Sequence, residues 1–155
     1  MRYIHLSKKP IESLKDIKQT NKSMKPSGLW FSKEKEWINY MDNNSSKELF
    51  GLVYQIDLKM PLLKISNKSQ LDKFTEKYGT SEKIRWGDVQ KDYPGILFDP
   101  YLEKVQYPWY SNIDVASGCI WNKNAADIKL IFDKKKNVAI IHPKINLKNK
   151  LLLSD

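Results

Sequence analysis

Short runs of alternating apolar and polar residues dominate this chain, separated by polar stretches rich in Lys, Asn and Ser. From Arg2 to Ser7 the alternation predicts a strand, with Tyr3 and His5 on one face and Ile4 and Leu6 on the other. Pro10 suits the first turn of a helix, where its missing N–H costs nothing. Ile11, Leu14 and Ile17 then supply an apolar stripe at helical spacing. Residues 20–27 are polar, contain Pro26 and end at Gly28, which predicts a loop. Gly28 to Phe31 reads as a strand. Ser32 is placed to cap the following helix, with Glu34 and Glu36 near its positive end. Trp37, Ile38 and Met41 form that helix's apolar face, and Tyr40 lies at its edge.

The second half repeats the style. Leu49 to Leu58 is the longest predicted strand, in which Phe50, Leu52, Tyr54, Ile56 and Leu58 alternate with smaller or polar residues, Val53 excepted. Pro61 ends it, and Leu62 to Ile65 continue as a short strand. Ser69 with Asp72 three residues on resembles a capping box. Leu71, Phe74 and Tyr78 then carry a helical face that Gly79 terminates. Trp86, Val89 and Tyr93 predict a short helix stopped by Pro94. Gly95–Phe98 and Ser117–Trp121 read as strands, and residues 128–132 and 138–141 as a hairpin around a basic turn. Strands outnumber helices, and several follow one another with no helix between. This argues against a purely parallel doubly wound sheet. It predicts an α+β fold with a mixed or split, antiparallel-rich sheet flanked by short helices. At 155 residues the expectation is a single domain over residues 1–147, with 148–155 as a C-terminal tail.

Composition narrows the function classes. The chain is 41% hydrophobic and 29% charged, as in ordinary globular proteins. No apolar run approaches the ~20 residues of a membrane span, and no apolar stretch follows Arg2, Lys8 and Lys9, so neither a membrane anchor nor a signal peptide is expected. One cysteine makes no intrachain disulfide, and with two histidines it makes no zinc site of ordinary spacing. A reducing, cytoplasmic setting is expected, or a host cell's interior for an effector or viral protein. Basic residues number 27 against 18 acidic, a net charge of +9 that attracts polyanions in general. The lysines are dispersed, which fits solvated faces better than a binding stripe. The chain's wealth of Lys, Asn and Ile is also what an AT-rich genome produces. With six glycines and no Walker-type loop, a Gly-rich phosphate cradle is not expected.

Chemistry concentrates in Trp109–Asn122, which holds three aromatics, Asp114, two serines, Gly118 and the sole cysteine. Large aromatics beside small polar groups and one carboxylate suit a pocket wall. Each large aromatic, Trp30, Trp109 and Trp121 among them, suits core packing equally well. Asp114 is either a functional acid or a capping residue at a loop or strand end. Cys119, between small and apolar neighbours, reads as a core residue. Two further segments end an apolar run on a polar side chain, His5-Leu6-Ser7 and Gly28-Leu29-Trp30-Phe31-Ser32. His5 and Ser7 share a strand face, where they suit hydrogen bonds to a ribose or an amide, or a local bond at the strand end. The three segments are expected to meet in one cleft.

The same segments, in this order, resemble the ADP-ribosyltransferase superfamily, which includes mono-ADP-ribosylating toxins, poly(ADP-ribose) polymerases, DNA-modifying toxins and tRNA 2′-phosphotransferases. Its histidine-containing branch opens with a strand in which Thr or Ser lies two residues after His, as in Tyr3-Ile4-His5-Leu6-Ser7. A helix and a Gly-led strand follow, matched by Gly28–Ser32, and an acid lies late in the chain. The likeness covers roughly residues 1–40 and 95–125. It departs in one respect: the family's late strand carries a glutamate, whereas here the acid is Asp114, three residues before the strand. The resemblance implies NAD as cofactor and cleavage of the nicotinamide–ribose bond. ADP-ribose would pass to a macromolecular acceptor, protein or nucleic acid, with no metal and no membrane partner. It implies Asp114 as the catalytic acid, with Asp99 next in line. His5, Ser7, Gly28, Leu29, Trp30, Ser32, Tyr40, Tyr110 and Ser117 would bind the dinucleotide, with Arg2, Lys8 and Lys25 near the pyrophosphate. The contrasting reading is a non-catalytic basic module that binds protein or nucleic acid.

Overall fold

A computed structural model describes residues 2–36, 51–133 and 138–139. Eight strands lie among them: β1 (Tyr3–Ser7), β2 (Leu29–Lys33), β3 (Leu52–Leu58), β4 (Leu63–Ile65), β5 (Gly95–Phe98), β6 (Ser117–Ile120), β7 (Ala126–Asp133) and β8 (Val138–Ala139). Two helices, Lys68–Tyr78 and Trp86–Asp92, and a 3-10 turn, Pro108–Asn112, complete the regular structure. Parallel and antiparallel pairs both occur, so the expectation of an α+β fold with a mixed sheet holds. The chain divides into two compact units. One comprises residues 1–14, 31–57 and 127–155, and the other residues 15–30 and 58–126.

In the first unit β1 is the hub. It pairs antiparallel with β2, Ile4 opposite Ser32, and with β3, His5 opposite Tyr54. The predicted alternation appears as burial: Ile4 and Leu6 are buried, whereas Tyr3, His5 and Ser7 are half-buried. The hairpin forms with β7 antiparallel to β8, Phe132 opposite Ala139. Ser32 lies within β2, two residues before helical backbone begins. Its backbone stays in the ladder opposite Ile4, β2 runs on to Lys33, and helical backbone begins at Glu34. Trp37, Ile38, Tyr40 and Met41 lie outside the described residues, as does the 148–155 tail.

The second unit sets β4 parallel to β5, with β6 antiparallel beyond it. A parallel pair needs a long crossover, and the two helices supply it. Its core is aromatic: Phe74, Trp86, Phe98, Trp109 and Trp121 belong to one buried cluster. Their rings meet edge to face or tilted, Trp86 and Trp109 at 6.0 Å and 77°, the arrangement ring quadrupoles favour. The longer helix starts two residues earlier than the Ser69 cap implied. Asn67 Oδ1 accepts from the Gln70 amide at 2.9 Å, and Gln70 Oε1 accepts from the Ser66 amide at 2.7 Å. Asn67 is the true cap. Gly79 ends the helix where its backbone pairs with Ile84, and a Cβ there would lie 2.0 Å from the Lys83 carbonyl oxygen.

The helix expected from Pro10 to Ile17 is absent, and residues 8–28 carry no helix or strand. Their backbone groups find partners elsewhere. In the part belonging to the second unit, the Ile17 amide donates to the Trp121 carbonyl at 2.9 Å and Gln90 Nε2 donates to the Ile17 carbonyl at 2.9 Å. Buried Gln19 donates its backbone amide to Gln90 Oε1, and its side chain bonds the backbone carbonyl and amide of Ser27. Three apolar residues were too few to repay helix nucleation against such bonds.

Candidate functional site

In the first unit β1 carries His5 and Ser7 on its half-buried face. Ser7 Oγ donates to the Lys9 carbonyl at 2.6 Å and accepts from the Lys9 amide at 3.2 Å, closing a turn as the strand ends. Ser32 is buried on β2. Tyr40 falls outside the described residues.

In the second unit the Gly28 segment lies directly on β6. A Cβ at Gly28 would stand 2.3 Å from the Ile120 carbonyl oxygen and 2.8 Å from Cys119 Sγ, so no side chain fits there. Two of the three sequence-selected segments, Gly28-Leu29-Trp30 and Ser117–Trp121, are therefore in contact. Trp30 is half-buried, and the Lys25 ammonium stands 5.1 Å from the centre of its ring, a cation–π pair. Cys119 is fully buried, and burial pushes its thiol well above the ordinary value, with Lys25 opposing weakly. Cys119 is a core residue, as its apolar neighbours implied.

Asp114 lies exposed in the segment between the 3-10 turn and β6. Ser117 Oγ donates to the Val115 carbonyl at 2.9 Å, which shapes that segment. Tyr110 is 2% exposed. Its hydroxyl accepts from the Leu102 amide at 3.0 Å, and burial pushes its phenol up. Trp109 and Tyr110 thus form core rather than the pocket wall the stretch's composition suggested. Trp109, with its indole N–H on Thr75 Oγ1 at 3.2 Å, is enclosed.

A cavity does exist in this unit, of about 420 Å³, and Trp121 is the one member of that stretch besides Asn122 that borders it. Its other walls come from Asp16, Met60, the end of the shorter helix (Gln90 to Asp92) and the two residues that follow it. Sequence reasoning missed it, because Asp16 and Asp92 are far apart in the chain and neither sits in a recognisable motif. No sequence signal announces the cation over Trp30, since the resemblance puts Lys25 near the pyrophosphate instead.

Among the described residues no cluster of three or more His, Cys, Asp or Glu could hold a metal ion, and no helix is long and apolar enough to cross a membrane. Comparison of this chain with protein-family models, with curated proteins and with solved structures finds no match.

Proposed function

We propose that the chain is an ADP-ribosyltransferase-like enzyme that cleaves the nicotinamide–ribose bond of NAD and passes ADP-ribose to a macromolecular acceptor. One observation carries the reading: Gly28 seats on β6 with no room for a side chain, joining two segments on which the resemblance rests. Beside that junction stands Trp30, whose ring already attracts an ammonium. The oxidised nicotinamide ring is itself cationic, and the same face suits it. Lys25 is then released to face the pyrophosphate.

Bond cleavage develops positive charge on the ribose as nicotinamide leaves with the bonding electron pair. The acceptor's nucleophilic atom forms the new bond to the same carbon and loses its proton. A carboxylate near the ribose stabilises the developing charge and orients the acceptor. Asp114 is exposed, so an acceptor of any size can reach it.

Calorimetry with NAD, followed by nicotinamide release, tests the reading. The wild type should bind NAD and release nicotinamide. Asp114→Ala should lose about 10²–10³ in turnover with little change in NAD affinity, as for an interaction made chiefly in the transition state. His5 belongs to the first unit and is tested separately, His5→Ala being expected to weaken NAD binding. No binding at millimolar NAD overturns the reading and favours the basic binding module. Binding with undiminished turnover in Asp114→Ala moves the acid elsewhere, to Asp99 first.

A further inference from the structure

The cavity bordered by Trp121 has a chemistry of its own, independent of NAD. Its volume of about 420 Å³ is in the range of small-molecule sites. Two carboxylates border it, Asp16 and Asp92, and each is half used by the fold. Asp16 Oδ1 accepts from the Lys123 amide at 2.8 Å, and Asp92 Oδ2 accepts from the Tyr78 hydroxyl at 2.5 Å. Each keeps its second oxygen. Among the described residues neither carboxylate has a lysine or arginine within ion-pair distance. Both are exposed, so a ligand in the cavity can reach them.

The remaining lining groups narrow the ligand. Lys91 also borders the cavity, but its ammonium stands 3.6 Å from Asp88 on its own helix. Gln90 spends both polar ends on Gln19 and Ile17, and the Trp121 indole N–H donates to the Tyr93 carbonyl at 2.8 Å. Gln90 and Trp121 are therefore walls. Met60 and Pro94 add apolar surface, and Tyr93 offers an aromatic ring. An anion would meet two carboxylates. A metal ion would find two carboxylates where hard cations take six or more oxygen ligands.

We propose that this cavity binds a small organic cation, an amine or guanidinium on a short apolar chain, through the second oxygens of Asp16 and Asp92. Its apolar body lies against Met60 and Pro94, and its charge gains from the Tyr93 ring.

Agmatine, which carries an amine and a guanidinium on a four-carbon chain, is the probe, titrated calorimetrically into the full chain. Saturable binding is expected, with n-butanol and butyrate failing to bind. Asp16→Asn and Asp92→Asn keep an acceptor oxygen for the Lys123 amide and the Tyr78 hydroxyl, so the fold survives, as thermal unfolding will verify. Each should weaken agmatine about tenfold, as a lost charge-assisted hydrogen bond does. Lys91→Ala removes a like charge from an exposed position and should tighten binding several-fold. Absence of saturable binding, wild-type affinity in both Asn variants, weaker binding in Lys91→Ala, or equal binding of butyrate would each overturn the proposal.

Discussion

At the scale of single residues, the most constrained position is Gly28. The nearest obstacles to a side chain there are the backbone oxygen of Ile120 and the sulfur of Cys119, and neither is the end of a flexible chain. Gly28→Ala must therefore displace β6 or the segment before β2. The expected loss is about 1–3 kcal/mol, the usual cost of overpacking, read from the urea midpoint. An unchanged midpoint would show that the two segments are not in contact. Cys119, on the other side of the same junction, should resist thiol reagents at neutral pH in the native protein and react at once in denaturant. Its inaccessibility and its raised pKa both withhold the reactive thiolate. Rapid native labelling would contradict its burial. The identity of Cys119 as core was legible in the sequence, since its neighbours are small or apolar. The need for glycine at 28 was not, because the clash comes from a strand some ninety residues later.

At the scale of elements, legibility followed the range of the forces. β1, β5, β6 and the β7–β8 hairpin were readable because alternation or a short apolar run is itself the cause of the strand. The Pro10–Ile17 segment misled because its apolar spacing was helical, while side chains distant in sequence, Gln90 above all, captured its backbone. The Lys68–Tyr78 helix shows the same limit at one residue. The spacing of Asp72 from Ser69 suggests half of a capping box, yet Asp72 accepts from the Lys68 ammonium at 2.8 Å and from the Tyr107 hydroxyl at 2.5 Å. These bonds, Lys68 first, hold its carboxyl below the ordinary value of 3.8. A depressed carboxylate stabilises the fold above its unfolded pKa, and that contribution disappears as pH falls through the lower folded value. Tyr107→Phe should raise the Asp72 pKa part of the way back, Lys68 remaining in place, and so shrink its share of acid destabilisation. A side-chain NMR titration of Asp72 in both proteins measures this. An unaltered pKa would mean that Tyr107 does not reach the helix.

At the scale of the whole molecule, charge and fold give different kinds of information. The α+β class followed from counting alternating segments, and the net charge of +9 from counting residues, but neither count locates a site. Trp109 and Tyr110 were spent on the core, and the cavity lies where Trp121 and two carboxylates from distant parts of the chain border one space. What the charge does predict is a general, shallow attraction. Lys8 and Lys9 in one unit and Lys18 and Lys22 in the other are exposed singly or in pairs along the chain. Few of them can meet neighbouring phosphates of one duplex at once, and each phosphate neutralised adds about one unit to the salt slope. A mixed-sequence DNA duplex should therefore bind at low salt, without sequence preference, with a shallow slope and little affinity at physiological ionic strength. Fluorescence anisotropy over a salt series measures both affinity and slope. Tight binding that survives about 0.3 M salt, where simple phosphate contacts are largely screened, would require a built nucleic-acid surface. That outcome would favour the basic binding module over the NAD-using enzyme.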